Sequence, residues 1–350
     1  MKLRPVKTLS AVALFAVAFT ACDSSDDSDV VSSDIIDSPL KVEYFEVGAL
    51  VEDITTVDCT LSSGVETTCY SVKVTGVPAN REVGPFCPTT IYSTAEDSGI
   101  WFDGGVGGDA EVHDLDGSFI TNLANRYGDN NWLLYDTATG DVNYTSTLAG
   151  CEGAARPDVD PEYQNHCVQC SLDYVDGGVE QTYLIPVKPV ALDTPAVLSG
   201  DVGVTLDGVG LALPAPVADI LANYTIAAFD DCGGHINPTA GYHYHGATGC
   251  TELHLPEDGH SALLGYARDG YGLYAMADAE GNEHSDLDEC RGATDDIRGY
   301  HYHVASAGEN SFIGCFHGDT VAVEGGGGPP GGGPPPEDGG LPPEGALPPA

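Results

Sequence analysis

Short apolar and β-branched runs, separated by Gly, Asn and Asp turns, recur from about residue 41 to residue 322. Runs of this kind predict β-strands, and only two short segments have apolar residues at helical spacing. The pattern therefore predicts a mainly β fold with a few short helices. The predicted strands are 42–47, 70–74, 132–135, 182–187, 224–229 and 262–267, and the predicted helices are 119–127, between a capping Ser118 and Gly128, and 215–223.

The pattern is interrupted near residues 188–200, where Pro189, Pro195 and Gly200 follow one another. We therefore predict an N-terminal β region, 41–190, and a second region, 200–320, which can still share one core.

Both ends of the chain have compositions that cannot form a core. Residues 22–40 are rich in Ser and Asp, and residues 325–350 are almost only Gly, Pro, Glu, Leu and Ala. Such segments do not bury enough apolar surface to fold. We predict a disordered tether at the N-terminal end and a disordered tail at the other.

The first 21 residues predict export. Three basic residues precede an apolar stretch, 8–19, which is too short to span a membrane as a helix and is typical of a secretory signal. The segment Phe19-Thr20-Ala21-Cys22 resembles a bacterial lipobox, in which cleavage leaves Cys22 as the lipidated N-terminus; ordinary signal cleavage nearby is the alternative. A lipobox at this position predicts a protein anchored to a bacterial membrane, facing the periplasm or the cell surface.

Charge and cysteine content limit the function further. The chain has 54 acidic and 12 basic residues, a formal net charge of -42, which excludes nucleic acid as a partner because Lys and Arg supply most affinity for phosphates. Ten cysteines remain besides Cys22, and in an exported chain they predict five disulfides and a disulfide-stapled fold. A thiolate metal site at His166-Cys167-x-x-Cys170 is the competing interpretation.

The second region contains an internal repeat. Residues 203–211 align with 265–273, and residues 231–245 align with 289–303; each of the latter segments ends in Gly-Tyr-His-Tyr-His. We predict a duplication with units 203–250 and 265–315. Because each pair of cysteines brackets its histidine segment in the same order, we expect disulfides between Cys232 and Cys250 and between Cys290 and Cys315.

These residues also indicate a family. The paired Gly-Tyr-His-Tyr-His segments, His260-Ser261 ahead of Gly265, and Leu287-Asp288-Glu289-Cys290 resemble the bacterial YHYH domain family. The resemblance covers most of 200–320 and extends weakly to 70–78. The family is defined by its motif and not by an assigned reaction, so the resemblance implies no activity.

Strand geometry suggests what the repeated motif does. Side chains at positions i and i+2 share one face of a strand, so each Tyr-His-Tyr-His segment presents two histidines on one face and two tyrosines on the other. If the two units pack about a twofold axis, the two histidine pairs converge on one divalent transition metal, Zn²⁺ or Cu²⁺. The predicted ligands of this shared ion are His243, His245, His301 and His303.

Two other interpretations stay open. The site can instead belong to a metal-dependent hydrolase or oxidase that keeps a coordination position for water or substrate. Alternatively, the protein is an adhesion or structural module without metal, in which the histidines fill the core and donate to buried carboxylates or backbone carbonyls. The carboxylates available as partners in that role are Asp207, Asp231, Asp269 and Asp288. Three further histidines in the same stretch favour the metal site instead: His235, His254 and His260.

Other motifs are weaker. Asp114-x-Asp116-Gly117 resembles part of a calcium loop, but the rest of that motif does not follow, so calcium is less favoured than a transition metal. The chain has no G-x-S-x-G hydrolase motif, and its carboxylates have no glycosidase spacing. The sequence names no catalytic residue and no protein or small-molecule partner.

Overall fold

The structure is a computed structural model that describes residues 40–106, 108–251 and 254–322. The predicted signal peptide 1–21, the lipidation site Cys22, the tether up to residue 39 and the tail 325–350 lie outside the described residues. Leu40, the last residue of the predicted tether, is buried and packs against the core. Within the described part of the chain, no helix is both long enough and apolar enough to cross a membrane.

The described residues form a mainly β structure of short strands. In chain order the strands are β1 Thr55–Thr60, β2 Glu66–Val74, β3 Ile100–Trp101, β4 His113–Asp114, β5 Cys167–Val168, β6 Gln181–Pro186, β7 Ala191–Ala196, β8 Gly203–Thr205, β9 Gly210–Leu211, β10 Ile226–Ala227, β11 Gly234–Asn237, β12 Gly241–Tyr244, β13 Leu263–Ala267, β14 Gly272–Tyr274, β15 Gly292–Asp295, β16 Gly299–His303 and β17 Phe316–Gly318.

An eight-stranded sheet organises the second region, in the order β11-β12-β9-β8-β13-β14-β16-β15. β8 and β13 pair antiparallel in the middle. From this centre each half repeats one pattern of pairing. On one side β8 pairs antiparallel with β9, β9 parallel with β12, and β12 antiparallel with β11 at the edge. On the other side β13 pairs antiparallel with β14, β14 parallel with β16, and β16 antiparallel with β15 at the edge. The sheet therefore consists of two halves with the same strand order.

Individual registers correspond as well. Leu211 lies opposite Gly203 on β8 and opposite Tyr244 on β12. The residues in the same relation in the second half are Leu273, Gly265 and Tyr302. These are the residues that align in the sequence repeat; the duplication as an evolutionary event stays a prediction.

The N-terminal region packs on this sheet. β1, β2 and β6 form an antiparallel three-stranded sheet. Val72 and Ile185 from it share one buried cluster with Val204 of β8 and Tyr266 of β13. The two predicted regions therefore share a core. β17 returns to pair with β7, next to the predicted boundary.

Three α-helices occur among the described residues: α1 Gly117–Arg126, α2 Leu148–Ala154 and α3 Val217–Ala222. The cap of α1 is Asp116, whose carboxylate accepts from Phe119 N at 2.7 Å, and not the predicted Ser118. α2 was absent from the prediction because two glycines lower the helix propensity of its seven residues. Single 3-10 turns occupy Val42–Tyr44, Ala95–Asp97, Pro161–Tyr163, Leu172–Val175 and Ala307–Glu309.

Three predicted strands differ from the structure. Residues 42–47 begin with a 3-10 turn and contain no strand, and Val47 is 97% exposed. Residues 132–135 contain an isolated bridge at Tyr135 but no strand. Residues 224–229 contain only the two-residue β10, since Tyr224 has a φ of 54°. An apolar run forms a strand only where a neighbouring strand is available to it.

Five disulfides staple the described chain. Cys232–Cys250 and Cys290–Cys315 each lie within one unit of the repeat, as expected from their positions in the sequence. Cys167 and Cys170 have separate partners, so the C-x-x-C segment is neither a closed pair nor a thiolate metal site. The remaining pairs are Cys59–Cys69, Cys87–Cys167 and Cys151–Cys170.

Candidate metal centres

The tyrosines of the first motif point into the core and bind buried aspartates. Tyr242 OH donates to Asp230 Oδ2 at 2.8 Å, and Tyr244 OH donates to Asp207 Oδ2 at 2.7 Å. The Arg81 guanidinium donates to both hydroxyl oxygens, at 2.9 and 2.6 Å. Burial raises the pKa of both tyrosines well above its usual value, so the hydroxyls stay protonated at neutral pH.

The second motif repeats this arrangement with one change. Tyr300 OH donates to Asp288 Oδ2 at 2.9 Å, and Tyr302 OH donates to Asp269 Oδ2 at 2.5 Å. In the place of an arginine, the His317 ring stacks on Tyr300 with centroids 3.8 Å apart, and its backbone N–H donates to the Tyr302 hydroxyl. The tyrosine face of each hairpin thus carries two tyrosine–aspartate hydrogen bonds; both are buried in the first hairpin, whereas in the second the Tyr302–Asp269 bond is buried and Asp288 is exposed.

The buried carboxylates therefore do not accept from the imidazoles of the motifs; of the two kinds of partner that the metal-free interpretation allowed, the backbone carbonyls face these rings instead. Asp207, Asp269 and Asp288 accept hydrogen bonds from tyrosines, and in the first half this role at the hairpin belongs to Asp230 and not to its neighbour Asp231. The physical reason is strand alternation: carboxylates on the tyrosine face are out of reach of histidines on the opposite face.

A glycine in each hairpin makes room for the first tyrosine. A Cβ atom at Gly234 would lie 2.3 Å from the Tyr242 hydroxyl oxygen, and one at Gly292 would lie 1.9 Å from the Tyr300 hydroxyl oxygen. Any larger residue would displace the ring, so this glycine belongs to the motif.

The histidines of the first motif converge with a third histidine. His235 on β11 lies opposite His243 on β12, and His245 follows the end of β12. The His235 Nε2 atom is 3.0 Å from His243 Nε2 and 3.2 Å from His245 Nε2. On the far side of each ring, His243 Nδ1 lies 3.1 Å from the Gly241 carbonyl oxygen and His245 Nδ1 lies 2.7 Å from that of Leu213. The Nε2 atoms of all three imidazoles therefore converge on one point.

All three rings are neutral at physiological pH. Burial lowers the pKa of His243 to about 4. Burial, and then the neighbouring imidazoles, hold the pKa of His235 and His245 well below the usual value. Neutral imidazole is the form that binds metal ions.

This first cluster lines a cavity of about 460 Å³. His235 and His243 are only half-buried because part of each ring faces this space, whereas His245 is buried. The cavity walls combine residues of α2, α3, β5, β10 and β11. The site therefore lies between the sheet and a wall that combines α2 of the N-terminal region with α3 of the second region, an arrangement that no sequence motif indicated.

The second motif gathers a larger group. His260, just before β13, places its Nε2 atom 3.1 Å from His301 Nε2. The His284 ring lies against the His303 ring in a tilted arrangement, with ring centroids 3.7 Å apart. Two overlapping sets of side chains hold possible ligand atoms within 4.8 Å of one another: His260, His284 and His303, and His260, Asp295 and His301.

Burial also lowers the pKa of three rings of the second group, His260, His301 and His303, which are therefore neutral at physiological pH. Burial lowers the pKa of His260 to about 4, helped by the positive charge of Arg298, and lowers the pKa of His303 to about 3. His301 Nδ1 faces the Gly299 carbonyl oxygen at 2.9 Å, and His303 Nδ1 faces that of Ala275 at 3.0 Å. His303 Nε2 is buried without a hydrogen-bond partner, which is costly unless a ligand is bound there.

The single shared site predicted from the sequence is wrong in its arrangement. The structure brings His243 together with His245, and His301 together with His303, but in two separate groups. Four strands separate β12 from β16, which is roughly 24 Å along the sheet at about 4.8 Å per strand spacing. The strand order outside each hairpin, which the sequence did not reveal, keeps the pairs apart.

The sequence analysis did not include four residues of these groups among the predicted metal ligands: His235, His260, His284 and Asp295. His235 had one available signal, since it lies in the short strand before the hairpin turn, opposite a histidine of β12. Asp295 had a similar signal, since it lies on the strand that forms a hairpin with β16. His260 and His284 come from loops, so only tertiary structure brings them to the site.

The remaining candidates do not form comparable sites. His254 stacks on Tyr44, with centroids 3.6 Å apart. His166 Nδ1 faces the Gln164 carbonyl oxygen at 2.9 Å. Asp116 caps α1, and within the described ranges neither it nor Asp114 belongs to a group of three or more potential ligands.

Comparison with known proteins agrees with the motif. The family model described as "YHYH protein" matches residues 182–324. The match includes both hairpins and all seven clustered histidines, and it starts at β6, upstream of the predicted boundary. No curated protein and no solved structure matches the chain.

Proposed function

We propose, from the premise that residues 182–324 are a YHYH-family domain, that this domain binds divalent transition metal ions, Zn²⁺ or Cu²⁺, at two separate sites. The first site is His235, His243 and His245. The second is built on His301 and His303 with His260, flanked by His284 and Asp295.

The tautomers of His243 and His245 carry this proposal. A carbonyl oxygen can only accept, so each Nδ1 atom that faces one carries the hydrogen, and each Nε2 atom presents a lone pair. Both lone pairs point toward His235 Nε2, at 3.0 and 3.2 Å. Zn–N bonds of about 2.0–2.1 Å in tetrahedral geometry require about 3.3 Å between ligand nitrogens. Backbone carbonyls behind the rings are also the usual outer partners of metal-bound histidines.

The electrostatic setting supports cation binding. The rings are held neutral by burial, so a metal ion displaces few protons when it binds at neutral pH. The chain as a whole has a formal charge of -42, which concentrates cations near its surface.

The proposal is tested by metal analysis of the untagged mature protein. Wild type loaded with Zn²⁺ or Cu²⁺ and dialysed should hold two ions per chain. His243→Ala/His245→Ala and His301→Ala/His303→Ala should each hold one. His166→Ala, outside both clusters, is the matched control and should hold two.

Two results would overturn the proposal. One is a wild type that stays metal-free with both ions, and the other is unchanged stoichiometry in both double variants while they remain folded. Either result favours the structural module, in which the histidines only fill the core.

The cavity favours a metal-dependent hydrolase or oxidase as a second candidate function. Among the described residues the first cluster groups only three potential ligands, and a metal with three protein ligands retains a position for water or substrate. Turnover of a chromogenic ester or a catechol that disappears in His243→Ala/His245→Ala and persists in His301→Ala/His303→Ala would support it. The binding module predicts no turnover in any of these proteins.

We also propose that the chain is exported and anchored through lipid on Cys22. The five disulfides support an oxidising compartment, and the N-terminal sequence supports a lipoprotein signal. Labelled fatty acid should enter wild type and not Cys22→Ser; equal labelling, or release of wild type into the medium, contradicts the anchor.

A further inference from the structure

We propose that the cavity beside the first metal site binds a mainly apolar, singly negative organic molecule, whose carboxylate or hydroxamate oxygen completes the coordination of the metal. This inference rests on the proposed metal site and adds the class of its ligand.

The walls of the cavity are apolar and come from several elements. Its volume, about 460 Å³, lies within the range of small-molecule pockets. The side chains that give it this character include Ala154, Val168, Leu213, Ile220, Ala227 and Ile236. Such walls favour a hydrocarbon or aromatic body in the ligand.

Most polar groups in the wall are already engaged. Gln169 Oε1 accepts from Cys87 N at 2.8 Å, and Asn237 Oδ1 accepts from Thr239 N at 2.8 Å. Gln181 Nε2 donates to the Ala240 carbonyl oxygen at 3.0 Å, and Thr225 Oγ1 donates to that of Ile220 at 2.8 Å. These four atoms already have partners within the protein, so the histidine-bound metal supplies the main polar contact.

The charges around the cavity determine which head group the ligand should carry. A divalent metal on three neutral imidazoles keeps a double positive charge, which favours one anionic oxygen ligand. Asp201 and Asp219 also line the cavity, Asp201 accepting from Tyr183 OH at 3.3 Å, and they disfavour a second negative charge on the ligand. Arg156 lines it too, but its guanidinium is paired with Asp158 at 2.6 Å. A monoanion with an apolar tail therefore fits better than a dicarboxylate or a phosphate ester.

The test uses the Co²⁺-loaded full mature chain, whose visible absorption reports changes in coordination. Acetohydroxamate and hexanohydroxamate share one head group and differ by four methylenes. Each buried methylene improves binding roughly fourfold, so the longer probe should bind at least about tenfold more tightly. The monohydroxamate of adipic acid, whose far end is a carboxylate in place of a methyl group, should lose this gain.

Cavity-filling variants assign the effect to this site. Ala155→Phe and Ala212→Phe introduce rings at half-buried wall positions and should abolish the chain-length gain while the cobalt spectrum persists. Ala191→Phe, at an exposed position of β7, is the control and should behave as wild type.

The possible outcomes separate the two proposals. The pocket inference fails, and the metal site stands, if cobalt binds but acetohydroxamate and hexanohydroxamate bind equally tightly. The same holds if hexanohydroxamate still binds more tightly than acetohydroxamate in both cavity-filled variants. If cobalt does not bind to the histidines, both fail together.

Discussion

The two halves of the eight-stranded sheet have the same hairpin and the same tyrosine–aspartate anchors, but they complete their histidine groups differently. In the first half the third histidine is His235, on the strand opposite His243. In the second half the equivalent position opposite His301 is Ala293, and His260 reaches the pair from the segment before β13. The position of each His-x-His pair is thus set by its strand, whereas the residue that supplies the third imidazole differs between the halves.

The surroundings of the two groups differ as well. The first faces the apolar cavity. The second lies against ion pairs, in which Arg298 binds Asp295 at 2.5 Å and also Asp258. The structure therefore combines one histidine site next to a ligand-sized space with one packed beside charged side chains.

The largest expected effect is shared by both halves, and it is the loss of stability in acid. Burial depresses the folded-state pKa of His243 to about 4 and of His303 to about 3, and it lowers the pKa of His235, His245 and His301. The unfolded value is about 6.5, so the unfolded chain binds more protons below that pH. Stability is complete above about pH 6.5 and falls towards pH 4, by about 1.4 kcal/mol per pH unit for each such histidine.

Urea unfolding of metal-free protein between pH 7.5 and 5 measures this slope. His243→Gln/His245→Gln and His301→Gln/His303→Gln should each reduce it by up to about 3 kcal/mol per pH unit. His166→Gln is the matched control. A reduction in only one of the two variants would show that burial acts on the halves unequally.

The tyrosine anchors should differ between the halves by a smaller amount. The Asp230 side chain is 1% exposed and accepts from Tyr242 and from Arg81 Nη1, at 2.8 and 3.3 Å. Asp230→Ala leaves that arginine without its carboxylate and should cost about 3 kcal/mol of unfolding free energy. Asp288→Ala removes the equivalent acceptor at an exposed position and should cost about 1 kcal/mol.

Chemical denaturation of both variants at pH 7.5 gives the comparison directly. Equal losses would mean that Arg81 contributes nothing particular to the first half and that the two anchors are energetically equivalent.

The sequence was informative where structure is local. Alternation of Tyr and His correctly separates the two faces of β12 and β16, and the order of cysteines around each motif matches the disulfides of the structure. It failed where the answer depends on which strands become neighbours. The separation of the two histidine pairs, the arrival of His260 and the helical wall of the cavity all arise from long-range packing, and their residues carry no spacing signal.

The smallest effect tests whether the halves are interchangeable. His260→Ala removes the third histidine of the second group and should weaken metal binding there by about tenfold, or about 1.4 kcal/mol, without changing the first site. Ala293 has the same register to His301 as His235 has to His243, so Ala293→His in the His260→Ala background should place an imidazole as the first half does. Zn²⁺ titration against a chromophoric chelator should then show most of the lost affinity restored. If affinity is not restored in a folded protein, hairpin register alone does not position a third ligand. The two halves would then be equivalent only in their tyrosine–aspartate hydrogen bonds.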